Sequence, residues 1–330
     1  MMVPLGLLAA IGNLKYVKDD GKQVGSRFDY LGFTLFSLAI ICLQLALDRG
    51  EREDWLDSIY ITSLLTFMAI SFYMFVVNTG FSSQPYIDPK IFLNKNYVVG
   101  VLLVFVYGSL NFTPLVLLPS MLQSLKGYPD LLIGWILAMR GVGMIIGFGM
   151  AARMGRLDPR VGMILGMGTI GFSGWLMSLY DLNVTIAAVS WASAIQGFGC
   201  GILWVPLAVI TFSTMPTNLF PAASAVFHLL RNLGTSVFVA LSVTLLIRTS
   251  KVTYAELTEK LNPYEERLSI ATVVGEGPID WITSLPRLAV EVARQSSMIG
   301  YDNVFFFYAL TCLFSLPVLS FVTIKKVEPK

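Results

Sequence analysis

The stretch Thr185–Phe212, TIAAVSWASAIQGFGCGILWVPLAVITF, runs 28 residues without an Asp, Glu, Lys or Arg. As a helix it would be about 42 Å long at 1.5 Å per residue, and the ~30 Å hydrocarbon core of a bilayer is crossed by about 20 apolar residues. It reads as a membrane span. The whole chain has the same character: of 330 residues, 55% are hydrophobic, 12% aromatic and only 13% charged, with a mean hydropathy of +0.70. Soluble domains carry about 25% charged residues, so this chain lacks the charge to cover a water-facing surface. The same figures exclude intrinsic disorder. Lys+Arg number 23 against 21 Asp+Glu, a net charge of +2, which lacks the basic excess of a nucleic-acid binder. The expected fold class is an all-α polytopic membrane protein.

Charge punctuation divides the chain into nine expected spans: Met1–Val17, Phe28–Leu47, Ile59–Thr79, Tyr97–Leu118, Leu132–Ala152, Val161–Tyr180, Thr185–Phe212, Ala223–Ile247 and Asp302–Ile324. The first has 14 residues before Lys15, but no Lys or Arg precedes it and no small-residue cleavage site follows, so it reads as a span rather than a signal peptide. Orientation follows the bias of Lys and Arg toward cytoplasmic loops. One set of loops holds 12 of them: Lys15, Lys18, Lys22, Arg27, Lys90, Lys95, Arg153, Arg156, Arg160, Lys325, Lys326 and Lys330; the other short loops hold 3, Arg49, Arg52 and Lys126. The C-terminus is therefore expected in the cytoplasm and the first residue outside. The long segment Arg248–Gly300 would lie outside. There, Tyr254–Leu261 and Leu285–Arg294 carry apolar residues at helical spacing and read as short amphipathic helices on the membrane surface.

Gly143 with Gly147, and Gly197 with Gly201, form small-xxx-small pairs that let helix backbones approach closely. Pro114, Pro206 and Pro317 are expected to interrupt helices, as membrane helices tolerate. Two charges fall inside spans, Arg140 and Arg231, each about eight residues or roughly 12 Å deep. Such a residue usually faces the bundle interior or a water-filled cavity. Pairing with helix carbonyls, locking two helices, lining a cavity and snorkelling to headgroups all remain open for both. His228, the one histidine, lies three residues before Arg231 on the same helical face, as a packing residue or a proton carrier.

No acidic residue falls in the middle of an expected span; Asp29, Asp130, Asp181 and Asp302 all sit at span ends. The three cysteines, Cys42, Cys200 and Cys312, lie in separate apolar runs without the clustered spacing of a disulfide framework or a zinc site. No metal site, cofactor or catalytic residue is expected. Gly166-Met-Gly-Thr-Ile-Gly171 fits GxGxxG, but it lies inside an apolar helix with no preceding strand, so dinucleotide binding is not expected.

Several motifs together resemble one family. Arg27-Phe-Asp-Tyr-Leu-Gly32 resembles an RFDxxG motif; Leu117-Leu-Pro-x-x-Leu-Gln123 followed by Gly127 resembles LLPxxLQxxxG. Gln196-Gly-x-Gly-x-Gly201 with Val205-Pro206 is similar to QGxGxGxxxxP, and Ala223-Ser-Ala225 with Arg231-Asn-Leu-Gly-x-Ser236 to ASAxxNxxRQxGGS. Met1-Met-Val-Pro-Leu-Gly6 resembles NVPIG. The ordered set spans the chain and resembles the fourteen-span drug:proton antiporters, the EmrB/QacA-type branch of the major facilitator superfamily. His228, Asn232 and Thr235 stand where the family pattern has Asn, Gln and Gly, and the charged loop motif is reduced to Arg153-Met-Gly-Arg-Leu-Asp-Pro-Arg160.

The resemblance implies a major facilitator-type helix bundle in which two halves rock around a central cavity. Residues 1–17 would be the last helix of the N-terminal half, and 18–96 two linker helices with their loops. Residues 97–324 would be the six-helix C-terminal half with an extracytoplasmic loop at 248–300, and 325–330 a cytoplasmic tail. The first five helices of such a protein, with its membrane carboxylates, have no counterpart here. The implied function is efflux of amphipathic drugs or toxic compounds by proton antiport in a bacterial inner membrane. A periplasmic adaptor protein and an outer-membrane channel would be further partners. By analogy the cavity candidates are Asn111, Phe112, Arg140, Gln196, Trp204, His228 and Arg231, with Arg140 and Arg231 answering acidic groups of the other half or an anionic substrate group. The competing expectations are a chain inactive alone, a non-transporting scaffold, and a half that assembles with a separately encoded N-terminal half. A membrane enzyme is disfavoured, because the spans hold no nucleophile–base pair.

Overall fold

A computed structural model describes residues 28–154, 158–260 and 281–321, preceded by residues 6, 7, 10–12 and 15. Eight long helices occur among them: α1 Tyr30–Arg49, α2 Ile59–Phe81, α3 Lys95–Lys126, α4 Asp130–Met154, α5 Pro159–Met177, α6 Ile186–Phe212, α7 Phe220–Lys260 and α8 Trp281–Ser315. Seven contain stretches long and apolar enough to cross a membrane. The exception is α5, 19 residues long, whose apolar content is diluted by Gly162, Gly166, Gly168, Gly171 and Gly174. The expected span Met1–Val17 lies largely outside the described residues.

The local chemistry explains where the helices begin and end. Asp29 caps α1 by accepting from the Gly32 amide at 2.8 Å and also accepts from Asn78 Nδ2 (3.0 Å) and the Tyr86 amide (3.2 Å), which ties α1 to the end of α2. A Cβ at Gly32 would strike the Asp29 carboxylate, so the Asp-x-x-Gly spacing is a steric requirement of that cap. Asn94 caps α3 through the amides of Asn96 and Tyr97. Gly127 ends α3 with φ +63°, a left-handed conformation that glycine adopts at no steric cost. Its amide reaches Gln123 O, the 5→1 bond of an αL stop, and the Tyr128 amide reaches Leu122 O.

Two expectations need correction. Helices α3 and α6 are continuous through Pro114, Pro119 and Pro206; Pro317, by contrast, does lie where α8 stops, in the 3-10 turn Leu316–Phe321. In the second place, Tyr254–Lys260 is the last part of α7, and Leu285–Arg294 lies within α8. These segments extend spans instead of forming separate surface helices, because their helical periodicity is in phase with the neighbouring run. Leu261 lies outside the described residues. Asp302 lies in α8 between the polar stretch Glu291–Ser297 and the apolar run that begins at Val304, within electrostatic reach of Asp181 at the α5–α6 turn.

Helix α3 is the hub, buried over two-thirds of its most apolar window, with α6, α7 and α8 packed on it. Apolar side chains gain little by leaving lipid for one another, so membrane helices associate through close backbone approach and polar bonds. Three crossings here are lined by glycine. In the α4–α6 pair, a Cβ on Gly143 would strike Ala194 O, one on Gly147 would strike Phe198 O, one on Gly197 would strike Arg140 O, and one on Gly201 would strike Met144 O. Along α6, Gly199 turns to the opposite side and meets Gly166 of α5. In the α3–α7 pair, Gly108 meets Arg231 O and Gly234 meets Phe105 O. Hydroxyls add to this last crossing: Ser109 Oγ donates to Gly234 O (2.9 Å) and Thr235 Oγ1 to Gly108 O (3.1 Å).

The contact order gives the directions. Gly143 and Gly147 meet Ala194 and then Phe198 of α6, and Tyr97 and Gly108 meet Ala223 and then Arg231 of α7, so α4 runs parallel to α6 and α3 to α7. Helix α5 runs antiparallel to α6, from Gly162 beside Pro206 to Ser173 bonded to Ala192 O at 3.1 Å. It thus shares the depth of α6 despite its glycine content, because its glycine face is turned to protein. Helices α1 and α2 pair with each other and reach the six-helix body mainly through α7.

Gly197→Leu is expected to separate α4 from α6 and lower stability by about 1–3 kcal/mol, the usual cost of forced overpacking. Gly168→Ala, at a glycine with open space around it, should leave stability unchanged. Unfolding of the purified protein by sodium dodecyl sulfate, followed by circular dichroism, measures both.

Candidate functional site

Arg140 lies ten residues into the 25-residue α4 and Arg231 eleven into the 41-residue α7, roughly 15–16 Å along the axis in each. The structure gives them different surroundings.

Arg140 is 8% exposed and fully engaged by protein. Its Nε donates to Gln196 Oε1 at 2.5 Å, and its Nη2 donates to both Asn111 O (2.7 Å) and Asn111 Oδ1 (2.5 Å). Gln196, with no exposed surface, passes the network on: its Nε2 donates to Leu110 O (3.1 Å), Tyr308 OH (3.3 Å) and Cys200 Sγ (3.3 Å). The Tyr308 hydroxyl donates to Leu110 O at 2.8 Å. One connected set therefore joins α3, α4, α6 and α8. A guanidinium presents several donors in a rigid plane, and here it meets an amide carbonyl on each side. Dispersal of the charge over these dipoles, and not a carboxylate, offsets its removal from water.

Arg231 is half-buried on α7 with its guanidinium 5.5 Å from the centre of the Trp204 ring, within range for a cation–π contact. Trp204 is flanked by Tyr107 (4.9 Å between ring centres), Phe227 (5.7 Å) and His228 (6.4 Å). The hydrogen bond drawn by Arg231 is long, Nη2 to Asn232 Oδ1 at 3.4 Å. Its Nε is buried and has no hydrogen-bond partner among the described residues, a condition that costs about 1–3 kcal/mol, more for a charged group. His228 is exposed, and on the same helix Asn232 is exposed and Ser236 half-buried.

The sequence candidates thus divide in two. Asn111, Arg140 and Gln196 form the buried network; Trp204, His228 and Arg231 form an aromatic, cationic patch beside it. The buried Tyr107 lies within electrostatic reach of both arginines. Phe112 is half-buried on α3. Gly143, Gly147, Gly197 and Gly201 line the α4–α6 crossing, and because Gly197 abuts the Arg140 carbonyl, the crossing sets the reach of Arg140 to Gln196. Tyr308, Tyr107 and Cys200 escaped the sequence reading. Cys200 is four residues after Gln196 and shares its face, a legible signal. Tyr308 sits in the aromatic run Phe305-Phe-Phe-Tyr308, where nothing local marks the one ring with a hydroxyl turned inward. All three cysteines are free and buried.

Asp302 is a further group of interest. It is half-exposed, yet its Oδ1 is buried without a hydrogen-bond partner among the described residues. The Tyr180 hydroxyl, at the α5–α6 turn, is in the same condition.

Fold and site together define a polytopic helical membrane protein with a cation-bearing polar interior. Its homologues are multidrug efflux proteins, the branch that the motifs resemble. The chain is 28% identical over 266 residues to multidrug export protein EmrB of Escherichia coli (strain K12), covering 79% of this chain and 52% of that protein. It is 26% identical over 328 residues to EmrB of Haemophilus influenzae, covering 97% of this chain and 63% of the relative. It is 27% identical over 322 residues to the fatty acid resistance protein FarB of Neisseria gonorrhoeae, covering 96% and 63%. The chain therefore spans between 52% and 63% of the length of these relatives. No family model matches it.

Arg140→Ala removes three hydrogen-bond donations and leaves Asn111 and Gln196 buried without their partner; a loss of about 3–5 kcal/mol is expected for breaking a buried charged set. Arg140→Lys should rescue little of it, since an ammonium lacks the planar fork. Arg231→Ala should be near neutral for stability. Thermal unfolding of the three variants in detergent compares them.

Proposed function

We propose that helices α3–α8 form one half of an efflux transporter that exports amphipathic toxic compounds by proton antiport across a bacterial inner membrane. In this reading, the C-terminus is cytoplasmic, following the charge bias of the loops. The cavity is completed by a second helix bundle, and the Arg231 face of α7 is directed toward it. Drug-like amphiphiles and protons are the transported species, with a periplasmic adaptor and outer-membrane channel as partners on the far side. The names of the relatives, a multidrug exporter and a fatty acid resistance protein, support the substrate class.

One observation carries the reading: a guanidinium about 16 Å along its helix, stacked on Trp204 and with a buried Nε–H that lacks an acceptor. A cation left under-satisfied at that depth suits a site whose remaining partner is supplied from outside these helices. That partner is an acidic group of the opposing bundle or the anionic end of a substrate. The indole and the neighbouring His228 ring offer flat surfaces for the apolar part of the same ligand. Arg140, already satisfied, holds the helices that present this face. Gly143, Gly147, Gly197 and Gly201 keep those helices in register. Proton coupling requires a titrating group at the membrane, and Asp302, whose Oδ1 is buried without a hydrogen-bond partner among the described residues, is the carboxylate we assign to it.

The test is export of a fluorescent amphipathic cation and of a long-chain fatty acid from cells that carry the complete two-half transporter and no other pump. Arg231→Ala is expected to lower export by about tenfold or more, a loss of at least ~1.4 kcal/mol of transition-state stabilisation, with membrane insertion unchanged. Equal export by the variant and the parent would refute the assignment. Asp302→Asn is expected to keep insertion and to uncouple export from an imposed proton gradient in proteoliposomes; coupling that persists at full strength would remove Asp302 from the mechanism.

A further inference from the structure

Away from the Arg231 face, the linker pair α1–α2 leans on α7 unevenly. At one end the contact is tight, through Phe75, Ile87, Ile91, Tyr97, Ala223 and Val226. Beyond it a cavity of about 680 Å³ opens between the three helices. Its walls are apolar: Phe36 and Ala39 from α1, Phe72 and Phe75 from α2, Leu229 and Leu233 from α7. A second cavity, of about 530 Å³, shares Phe36, Ile87, Val226 and Leu229 with the first. The two therefore adjoin, and the second is bordered by Asp29, Gln84 and Tyr86. The result is one groove, apolar within and polar at its mouth.

We propose that this groove holds one acyl chain of a bilayer phospholipid, which fills the gap between the linker pair and α7. Three observations argue for that occupant. All three walls are helices apolar and long enough to cross a membrane, so hydrocarbon chains surround the groove, and an apolar cavity does not retain water. The length fits one leaflet: the lining runs along α2 from Thr79 at the mouth to Met68, eleven residues or about 16 Å, half of the ~30 Å hydrocarbon core. Finally, the mouth lies at the end of α1 and α2 where the loops carry Lys90 and Lys95. Lys90 is exposed and paired with Asp88 only at 3.8 Å, which leaves an ammonium to meet a lipid phosphate at the headgroup level. Asp29, beside the mouth, is already occupied by Gly32, Asn78 and Tyr86.

The experiment uses the full chain in vesicles of phosphatidylethanolamine and phosphatidylglycerol containing a trace of phospholipid with a photoactivatable diazirine in its acyl chain. A parallel sample carries the diazirine on free palmitate. After mild detergent washing and illumination, adducts are mapped by mass spectrometry. Phospholipid adducts are expected on the segments around Phe36–Leu43 and Val226–Leu233. They should resist the wash, unlike adducts around the exposed Tyr73, which report ordinary surrounding lipid. Leu229→Trp, which fills the groove, should lower the wash-resistant labelling by about tenfold, a loss of about 1.4 kcal/mol in relative affinity. Ala39→Leu narrows the groove from the α1 wall and should act in the same direction if the first variant does not fold. Labelling equal at the groove and at Tyr73, labelling unchanged in both variants, or labelling by palmitate alone would each overturn the proposal. None of these readouts depends on export, so they stand apart from the proposed transport function.

Discussion

Inside a hydrocarbon layer, apolar side chains already have apolar neighbours, so two helices stay together only where their backbones come close or their polar groups meet. The α4–α6 crossing satisfies both conditions at one place. Gly197 lies against the carbonyl of Arg140, and the side chain of that arginine reaches the amide of Gln196 one residue away from Gly197. A Cβ at position 197 would push the two helices apart and break the same hydrogen bond. From Gln196 the network continues to α3 and α8, so the position of four helices depends on this one approach. Helix α6 also serves α5 through Gly199, between Gly197 and Gly201. The alternating glycines let one helix be approached from two sides.

The two intramembrane arginines show how little a side chain's identity says about its role. At the level of sequence they are equivalent, each some way into an apolar run. Arg140 points between helices and finds Asn111 and Gln196; Arg231 points across Trp204 and keeps a donor unsatisfied. Arg140 spends its Nε and Nη2 on groups of the bundle itself, whereas the Nε of Arg231 has no such partner among the described residues. On that physical ground the first serves assembly, and the second is the one proposed for a ligand.

Much of the fold was legible because lipid imposes simple rules. Long charge-free runs, small-residue pairs and helix caps are local patterns. The Asp29–Gly32 and Gln123–Gly127 motifs turned out to be a cap and a stop with plain steric reasons. Errors arose where a rule was applied one level too coarsely. Tyr254–Leu261 and Leu285–Arg294 were read as separate short helices because charges punctuate them; in the structure Tyr254–Lys260 continues α7 and Leu285–Arg294 lies within α8. Prolines were read as breaks, yet α3 and α6 pass through them, since neighbouring helices hold the segment on both sides.

The sequence by itself determined the class of protein, the run of long apolar helices, the glycine faces and the presence of two cations within apolar runs, all of which depend on composition and spacing along the chain. Tertiary structure decided which glycine meets which carbonyl, that α3 and α7 run side by side and parallel, that Tyr308 completes a network begun by Asn111, and that a groove remains between α1, α2 and α7. These are relations between residues up to about 200 positions apart, as with Leu110 and Tyr308. Helical periodicity says which face a residue occupies. Only the packed bundle says what stands opposite.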